Sequence, residues 1–141
     1  DYTGIEAYPL THQEISCLNY EEETDEDGIQ LFHKLHSAEW GRREVIHPHF
    51  DLLKIQSDLV SWHTDDLYDL IYFDAFAPSA QPELWTEDIF SKLFQCTQQG
   101  GVLVTYCAKG DVRRAMKAAG WNVTKLPGPP RKREMTRATK L

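Results

Sequence analysis

Asp69-Leu-Ile-Tyr-Phe-Asp-Ala-Phe-Ala-Pro-Ser-Ala-Gln-Pro-Glu-Leu-Trp85 holds a short apolar run that stops at a carboxylate, Asp74. Leu70 to Phe73 is continuous, aliphatic and aromatic, the pattern of a strand buried on both faces of a parallel sheet. In open α/β sheets ligands collect beyond the carboxyl ends of such strands, which makes Asp74 a candidate site residue. Pro78 and Pro82 interrupt any regular element and predict a shaped loop.

After that loop, Ile89, Phe90, Leu93 and Phe94 share one face of a helix predicted near residues 86–97, with Gly100-Gly101 as its stop. Val102 to Tyr106 predicts a fully buried strand. Asp111 to Ala119 follows as an amphipathic helix with Val112, Ala115, Met116 and Ala119 inward and Gly120 as terminator. Trp121 to Leu126 predicts a strand, Pro127-Gly128-Pro129-Pro130 a turn, and Glu134 to Thr139 a last, antiparallel strand.

Upstream, Thr3 to Tyr8 predicts a strand, and Thr11-His12-Gln13-Glu14 is a capping box opening a helix to about Tyr20. Glu21 to Asp27 carries six acids in seven residues and reads as a solvated loop. Gly28 to Ser37 has helical spacing, and Ala38 to His49 shows no clear period. Asp51 to Ile55 predicts a strand, Gln56-Ser57-Asp58 a turn away from it, and Leu59 to Trp62 one helical turn. Strands alternating with helices predict a doubly wound α/β sheet, mostly parallel, closed by an antiparallel C-terminal strand.

The 141 residues suit a single domain. Cys17, Cys96 and Cys107 cannot all pair and lack Cys-x-x-Cys spacing, so they read as reduced, buried or semi-buried thiols of a cytoplasmic protein. No apolar run approaches the roughly 20 residues of a membrane span. The net charge of −7 is unevenly spread: residues 1–99 hold 5 Lys or Arg against 20 Asp or Glu, and residues 100–141 hold 10 against 2. A basic C-terminal third on an acidic chain points to an anionic partner such as nucleic acid, or to neutralisation within the fold.

Glu6, Asp58 and Asp74 each fall at the carboxyl end of a predicted strand, and parallel neighbours would bring them to one edge of a sheet, as a nucleotide-like ligand requires. An acid in the place of Glu6 can accept ribose hydroxyls, and one in the place of Asp58 an exocyclic amine. Taken singly, each acid also suits a helix cap or a solvated turn. Asp74 can orient or deprotonate an amine attacking an activated methyl group. Phe76 can stack a flipped base, or pack beneath the loop. Arg131, Lys132 and Arg133, with Arg137 and Lys140, suit a phosphate-contacting rim or a solvated basic turn. His47-Pro48-His49 has only His63 as an obvious third ligand, so no metal site is expected. No Gly-x-Gly-x-x-Gly, Walker or Gly-x-Ser-x-Gly motif occurs, which weighs against a kinase or hydrolase.

Three ordered stretches, Asp74-Ala-Phe-Ala-Pro-Ser-Ala-Gln-Pro-Glu-Leu-Trp85, Tyr106-Cys-Ala-Lys-Gly-Asp-Val-Arg-Arg114 and Pro127-Gly-Pro-Pro-Arg-Lys-Arg-Glu-Met135, resemble successive motifs of the tRNA 5-methylaminomethyl-2-thiouridine methyltransferase family. Tyr2-Thr-Gly-Ile-Glu-Ala-Tyr-Pro-Leu10 resembles its second-strand region. The resemblance implies a partial Rossmann-like class I methyltransferase sheet whose first strand is missing, and transfer of methyl from S-adenosylmethionine to the aminomethyl nitrogen of the modified wobble uridine of tRNA. It implies that Glu6 binds the cofactor ribose and Asp58 its adenine, that Asp74 contacts cofactor and serves catalysis at the transfer point, and that Arg131 to Arg133 face the tRNA. It further implies a glycine-rich cofactor loop and first strand upstream of Tyr2, that strand lying between those ending at Glu6 and Asp74. Residues 1–141 are then the C-terminal portion of a longer domain, with weak or no cofactor binding alone. A flavin-dependent oxidase acting upstream as a separate protein would prepare the amine. Pro129-Pro130 departs from the glycine and aromatic usual in the family. A non-catalytic α/β RNA-binding module using the basic C-terminal third, or a small-molecule methyltransferase of the same fold, remain alternatives.

Overall fold

The computed structural model describes residues 1–20, 23–130 and 133–141. Two units divide it, Asp1–Trp62 and His63–Leu141, and each builds its own sheet.

The first unit contains β1 (Tyr2–Glu6), α1 (His12–Ser16), α2 (Glu26–Ser37), β2 (Arg43–His47) and β3 (Phe50–Gln56). Its sheet runs β1-β3-β2, with β1 parallel and β2 antiparallel to β3. The capping box is present: the Thr11 hydroxyl accepts from the Glu14 amide at 3.3 Å while the Glu14 carboxylate accepts from the Thr11 amide at 2.7 Å. The helix it starts is shorter than expected and ends at Ser16.

Part of the acidic stretch is helical rather than loop. Asp25 caps α2 by accepting from the Gly28 amide at 2.9 Å, and Glu26 and Asp27 occupy the first turn. Negative charge there faces the positive end of the helix dipole, so its concentration favours the helix. Glu21 and Glu22 lie outside the described residues.

The stretch without a clear period holds β2, whose alternation is masked because an exposed Val45 sits beside the buried Ile46. Pro48-His49 is its hairpin turn to β3, so His47 and His49 flank a turn with rings 5.9 Å apart. Ala38, Ile46 and Leu52 form the core of this unit, covered by Leu31, Leu35 and Phe50. Lys54 closes the far end of α2 by donating to the Leu35 and His36 carbonyls, both at 3.0 Å.

The second unit contains β4 (Tyr68–Tyr72), a 3-10 turn (Pro82–Trp85), α3 (Glu87–Gln95), β5 (Thr97–Thr105), α4 (Gly110–Ala118), β6 (Asn122–Pro127) and β7 (Glu134–Thr139). Its sheet runs β4-β5-β7-β6; β4 and β5 are parallel, and β7 is antiparallel to both neighbours. β7 is the antiparallel C-terminal strand that the sequence predicts, whereas the antiparallel β2 of the first sheet is not foreseen by it.

β1 and β4 are each an edge strand of their own sheet, and β4 is half-buried rather than covered on both faces. Leu70 and Tyr72 are exposed on one face, while Phe73, just past the strand, is buried with the other. Pro82 is not a barrier to regular structure but the first residue of the 3-10 turn, where its missing N–H costs nothing.

Gly100-Gly101 does not stop α3, which ends at Gln95. The pair lies inside β5, where pairing steps from Tyr68↔Thr97 to Leu70↔Val102. Two residues of β4 thus span five of β5, and Gly100, at φ 81°, carries the bulge. Phe90, Leu103, Met116 and Ala138 are fully enclosed, the large side chains each contributing about 1.5–3 kcal/mol by burial. Phe73 meets Trp85 edge-on at 5.0 Å and Phe90 at 5.6 Å. The Trp121 indole donates to the Phe90 carbonyl at 2.9 Å, fastening α3 to the start of β6.

Candidate active site

Glu6 and Asp58 stand at the carboxyl ends of adjacent parallel strands: Glu6 pairs with Gln56 in register, and the Ser57 amide donates to the Glu6 carbonyl at 3.1 Å. Both side chains are exposed. The Glu6 carboxylate accepts from the Tyr8 amide at 2.9 Å, and that of Asp58 from the Val60 amide at 2.8 Å. Each acid therefore caps its own turn, the plainer use expected of them singly. An ionised carboxylate has about four acceptor positions, so capacity remains on both for hydroxyl or amine donors.

Asp74 belongs to the other sheet: β1 and β4 share no ladder, so of the three acids only Glu6 and Asp58 stand on one described sheet edge. Asp74 is exposed, two residues past the end of β4, and no hydrogen bond or ion pair holds its carboxylate among the described residues. Phe73, before it, is fixed by its amide donating to the Val104 carbonyl at 2.9 Å. The ladder ends at Tyr72↔Val104, and Asp74 and Tyr106 each follow two residues later, at the same end of two parallel strands.

Phe76 does not pack beneath the loop; its side chain stands 74% exposed. Its backbone is held instead, the amide donating to Gln81 Oε1 at 3.2 Å and the carbonyl accepting from Trp85 Nε1 at 2.8 Å. Tyr72, Phe76 and Tyr106 thus present exposed aromatic rings on the segments around Asp74.

Of the basic run, Arg133 is exposed, while Arg131 and Lys132 lie outside the described residues. Arg137 is exposed on β7, but Lys140 does not serve a rim. Its ammonium donates to the Phe94 and Thr97 carbonyls, both at 2.8 Å, and sits 4.7 Å over the Phe94 ring, closing the C-terminal end of α3. Among the described residues no group of three His, Cys, Asp or Glu could hold a metal, and no helix is long and apolar enough to cross a membrane. The three thiols are free: Cys96 is buried, which pushes its thiol up, Cys107 is partly buried, and Cys17 is exposed rather than semi-buried.

Sequence reading named Arg133 but missed the cluster it joins at the same end of the second sheet. Tyr106, Ala108, Lys125, Arg133 and Glu134 line an open depression of about 520 Å³. Behind it Arg113, only 12% exposed, donates to Glu134 at 3.1 Å and to the Thr136 hydroxyl at 3.1 Å. The hydrogen bond from Arg113, opposed by slight desolvation and helped by Lys125, holds the Glu134 carboxyl below its usual range. The Tyr106–Arg114 motif was the one available signal for Arg113.

The chain resembles proteins from several sources. It is 32% identical over 146 residues to the tRNA 5-methylaminomethyl-2-thiouridine biosynthesis bifunctional protein MnmC of Pseudoalteromonas atlantica, covering 95% of this chain and 20% of that protein. The protein of the same name from Hahella chejuensis is 30% identical over 140 residues, covering 96% of this chain and 22% of its own length. The chain therefore spans about a fifth of the curated relatives it matches. Its fold superposes on the crystal structure of MnmC2 from Aquifex aeolicus with a TM-score of 0.70 at 21% identity, covering 99% of this chain and 42% of the other. A family model described as S-adenosyl-L-methionine-dependent methyltransferase matches residues 50–141. That match begins with β3 and runs to the end of the chain, taking in Asp58, Asp74 and Arg113: the chain belongs to the S-adenosyl-L-methionine-dependent methyltransferase family.

Proposed function

We propose that residues 1–141 are part of one methyltransferase domain that transfers methyl from S-adenosylmethionine to the aminomethyl nitrogen of the modified wobble uridine of tRNA. The observation that carries this reading is Asp74, an exposed carboxylate with no partner among the described residues, at a strand end beside exposed aromatic rings. The curated relatives, named for the biosynthesis of that tRNA nucleoside, support the choice of substrate.

The acids of the first unit fit the cofactor in their chemistry. Glu6 and Asp58 are acceptors on neighbouring strand ends, suited to ribose hydroxyls and to the adenine amine respectively. When bound, S-adenosylmethionine supplies a methyl group on a sulfonium as the electrophile. Asp74 accepts an N–H of the substrate amine, which must be neutral to attack, and aligns the nitrogen lone pair. It then takes the proton that the nitrogen sheds once the new C–N bond is made. Phe76 stacks a displaced base, and Arg131, Lys132 and Arg133 contact phosphates. A flavin-dependent oxidase acting earlier supplies the amine, and the setting is cytoplasmic.

Incubation of the full-length protein with methyl-labelled S-adenosylmethionine and undermodified tRNA tests this reading. Label on the wobble uridine is the expected result. No label there, with active controls, removes it; salt-dependent tRNA binding without affinity for S-adenosylmethionine would favour a non-catalytic RNA-binding module.

A further inference from the structure

One largely buried guanidinium joins the two walls of the depression, at the same end of the second sheet as Asp74. Arg113 Nη2 donates to Glu134 at 3.1 Å, and its Nε donates to Thr136 Oγ1 at 3.1 Å. The Thr136 hydroxyl in turn donates to the Cys107 carbonyl at 2.7 Å. Cys107 follows Tyr106, and Glu134 follows Arg133, so Arg113 sets the spacing between an aromatic wall and a basic one. Thr136 is fully buried, which keeps this chain of hydrogen bonds out of competition with water.

The charges are unequal in their freedom. Arg113, Lys125 and Arg133 stand around a single carboxylate, Glu134, and Arg113 neutralises it from the buried side. Lys125 is 3.5 Å from the same carboxylate but 63% exposed. An exposed pair of this kind contributes little, so Lys125 can exchange it for a phosphate without a large loss. The volume of about 520 Å³ falls within the range of small-ligand sites. Asp74 follows β4 and Tyr106 follows its parallel neighbour β5, so the depression and Asp74 lie at the same end of the second sheet.

We propose that this depression is a phosphodiester subsite for the RNA strand next to the reacting nucleotide, with Lys125 and Arg133 on phosphate oxygens, Tyr106 stacked on a base, and Arg113 as the positioning residue. The assignment rests on the tRNA reading above and extends it to three residues that reading did not use. Two cations without an aromatic would suit any anion; the ring beside them selects a nucleotide, since every base offers a face for stacking.

Binding of a seven-nucleotide single-stranded RNA to the full-length protein, measured by fluorescence anisotropy across a salt series, tests it. Lys125→Glu is expected to weaken binding at least tenfold, and Lys125→Ala to reduce the slope of log K against log salt by about 0.7, the value of one phosphate contact on a single strand. Arg113→Lys keeps the charge and loses the fork, so it should weaken binding severalfold with the salt slope unchanged. Wild-type affinity and slope in Lys125→Glu, or no RNA binding by the wild type, overturn the subsite. Complete competition by millimolar inorganic phosphate would identify a small-anion site and overturn it equally. If Lys125-dependent RNA binding persists while no methyl transfer occurs, the methyltransferase reading falls and the subsite stands. If the wobble uridine is methylated with an unchanged KM for tRNA in Lys125→Glu, the subsite falls and the reading stands.

Discussion

Trp85 donates its indole N–H to the Phe76 carbonyl at 2.8 Å, which ties the end of the proline-bearing loop back to a residue two places beyond Asp74. The Trp85 ring is itself buried edge-on against Phe73, the residue before Asp74. Asp74 therefore stands on a short segment gripped from both sides by one side chain. A loop tethered in this way can hold an exposed carboxylate in a fixed direction without enclosing it. Trp85→Phe retains most of the ring but leaves the Phe76 carbonyl without that donor. It is expected to lower stability by about 1–2 kcal/mol, read as a shift of the urea midpoint at unchanged slope.

Asp74→Asn keeps the shape of the side chain and removes its ability to take a proton. Methyl transfer should fall by about 10²–10⁴ in kcat, with cofactor affinity largely spared. Undiminished turnover would remove Asp74 from its proposed role.

Much of this arrangement was legible in the sequence because it rests on local rules. Thr11 and Glu14 sit at the spacing a capping box needs, the stripes of α3 and α4 repeat at helical period, and the return of β7 follows a proline-rich turn. Other features are decided by tertiary context, which no local pattern carries. β2 was hidden because an edge strand need not bury both of its β-branched residues. The apolar run of β4 suits a doubly buried strand because such a run does not say how many neighbours the strand has. Gly100-Gly101 suits a helix stop and a bulge equally well by composition. At the candidate site, Asp74 was readable as the end of an apolar run, but Arg113, Lys125 and Tyr106 come from three elements that only the insertion of β7 between β5 and β6 brings together.

The bulge gives a sharp contrast between adjacent glycines. A Cβ on Gly101 would lie 2.8 Å from the Gln98 carbonyl oxygen and 3.1 Å from that of Tyr68, both backbone atoms with no freedom to withdraw. Gly101→Ala is expected to cost about 1–3 kcal/mol, the range for overpacking. Gly100→Ala meets open space and suffers only from its φ of 81°, a penalty of about 1–2 kcal/mol. Thermal unfolding of both variants checks the order.

Glu134 supplies a pH signature. Its carboxyl is held low chiefly by the hydrogen bond from Arg113, so the charged form is favoured by folding. The folded value lies below the unfolded one; the contribution is therefore present above the ordinary value of 4.5 and is lost as pH falls through the lower folded value. Glu134→Gln should lower Tm relative to wild type near neutrality, with the difference shrinking below about pH 4.5. A Tm difference that stays constant to pH 3 would show that the carboxylate charge carries none of it.

Lys140 separates fold from binding within the basic C-terminal third. Its ammonium is committed to the Phe94 and Thr97 carbonyls and to the Phe94 ring, where it satisfies groups that the end of α3 leaves without partners. Lys140→Met keeps the length of the stem and removes the donors, so stability should drop by about 1–3 kcal/mol while RNA affinity and its salt slope stay at wild-type values. Arg133→Ala should do the reverse, since Arg133 is exposed at the depression: stability within about 0.5 kcal/mol of wild type and a salt slope smaller by about 0.7. Chemical unfolding and RNA titration on the same two proteins give both quantities. A weaker salt dependence in Lys140→Met would place its charge on the binding face after all, against the geometry that puts it at the end of a helix.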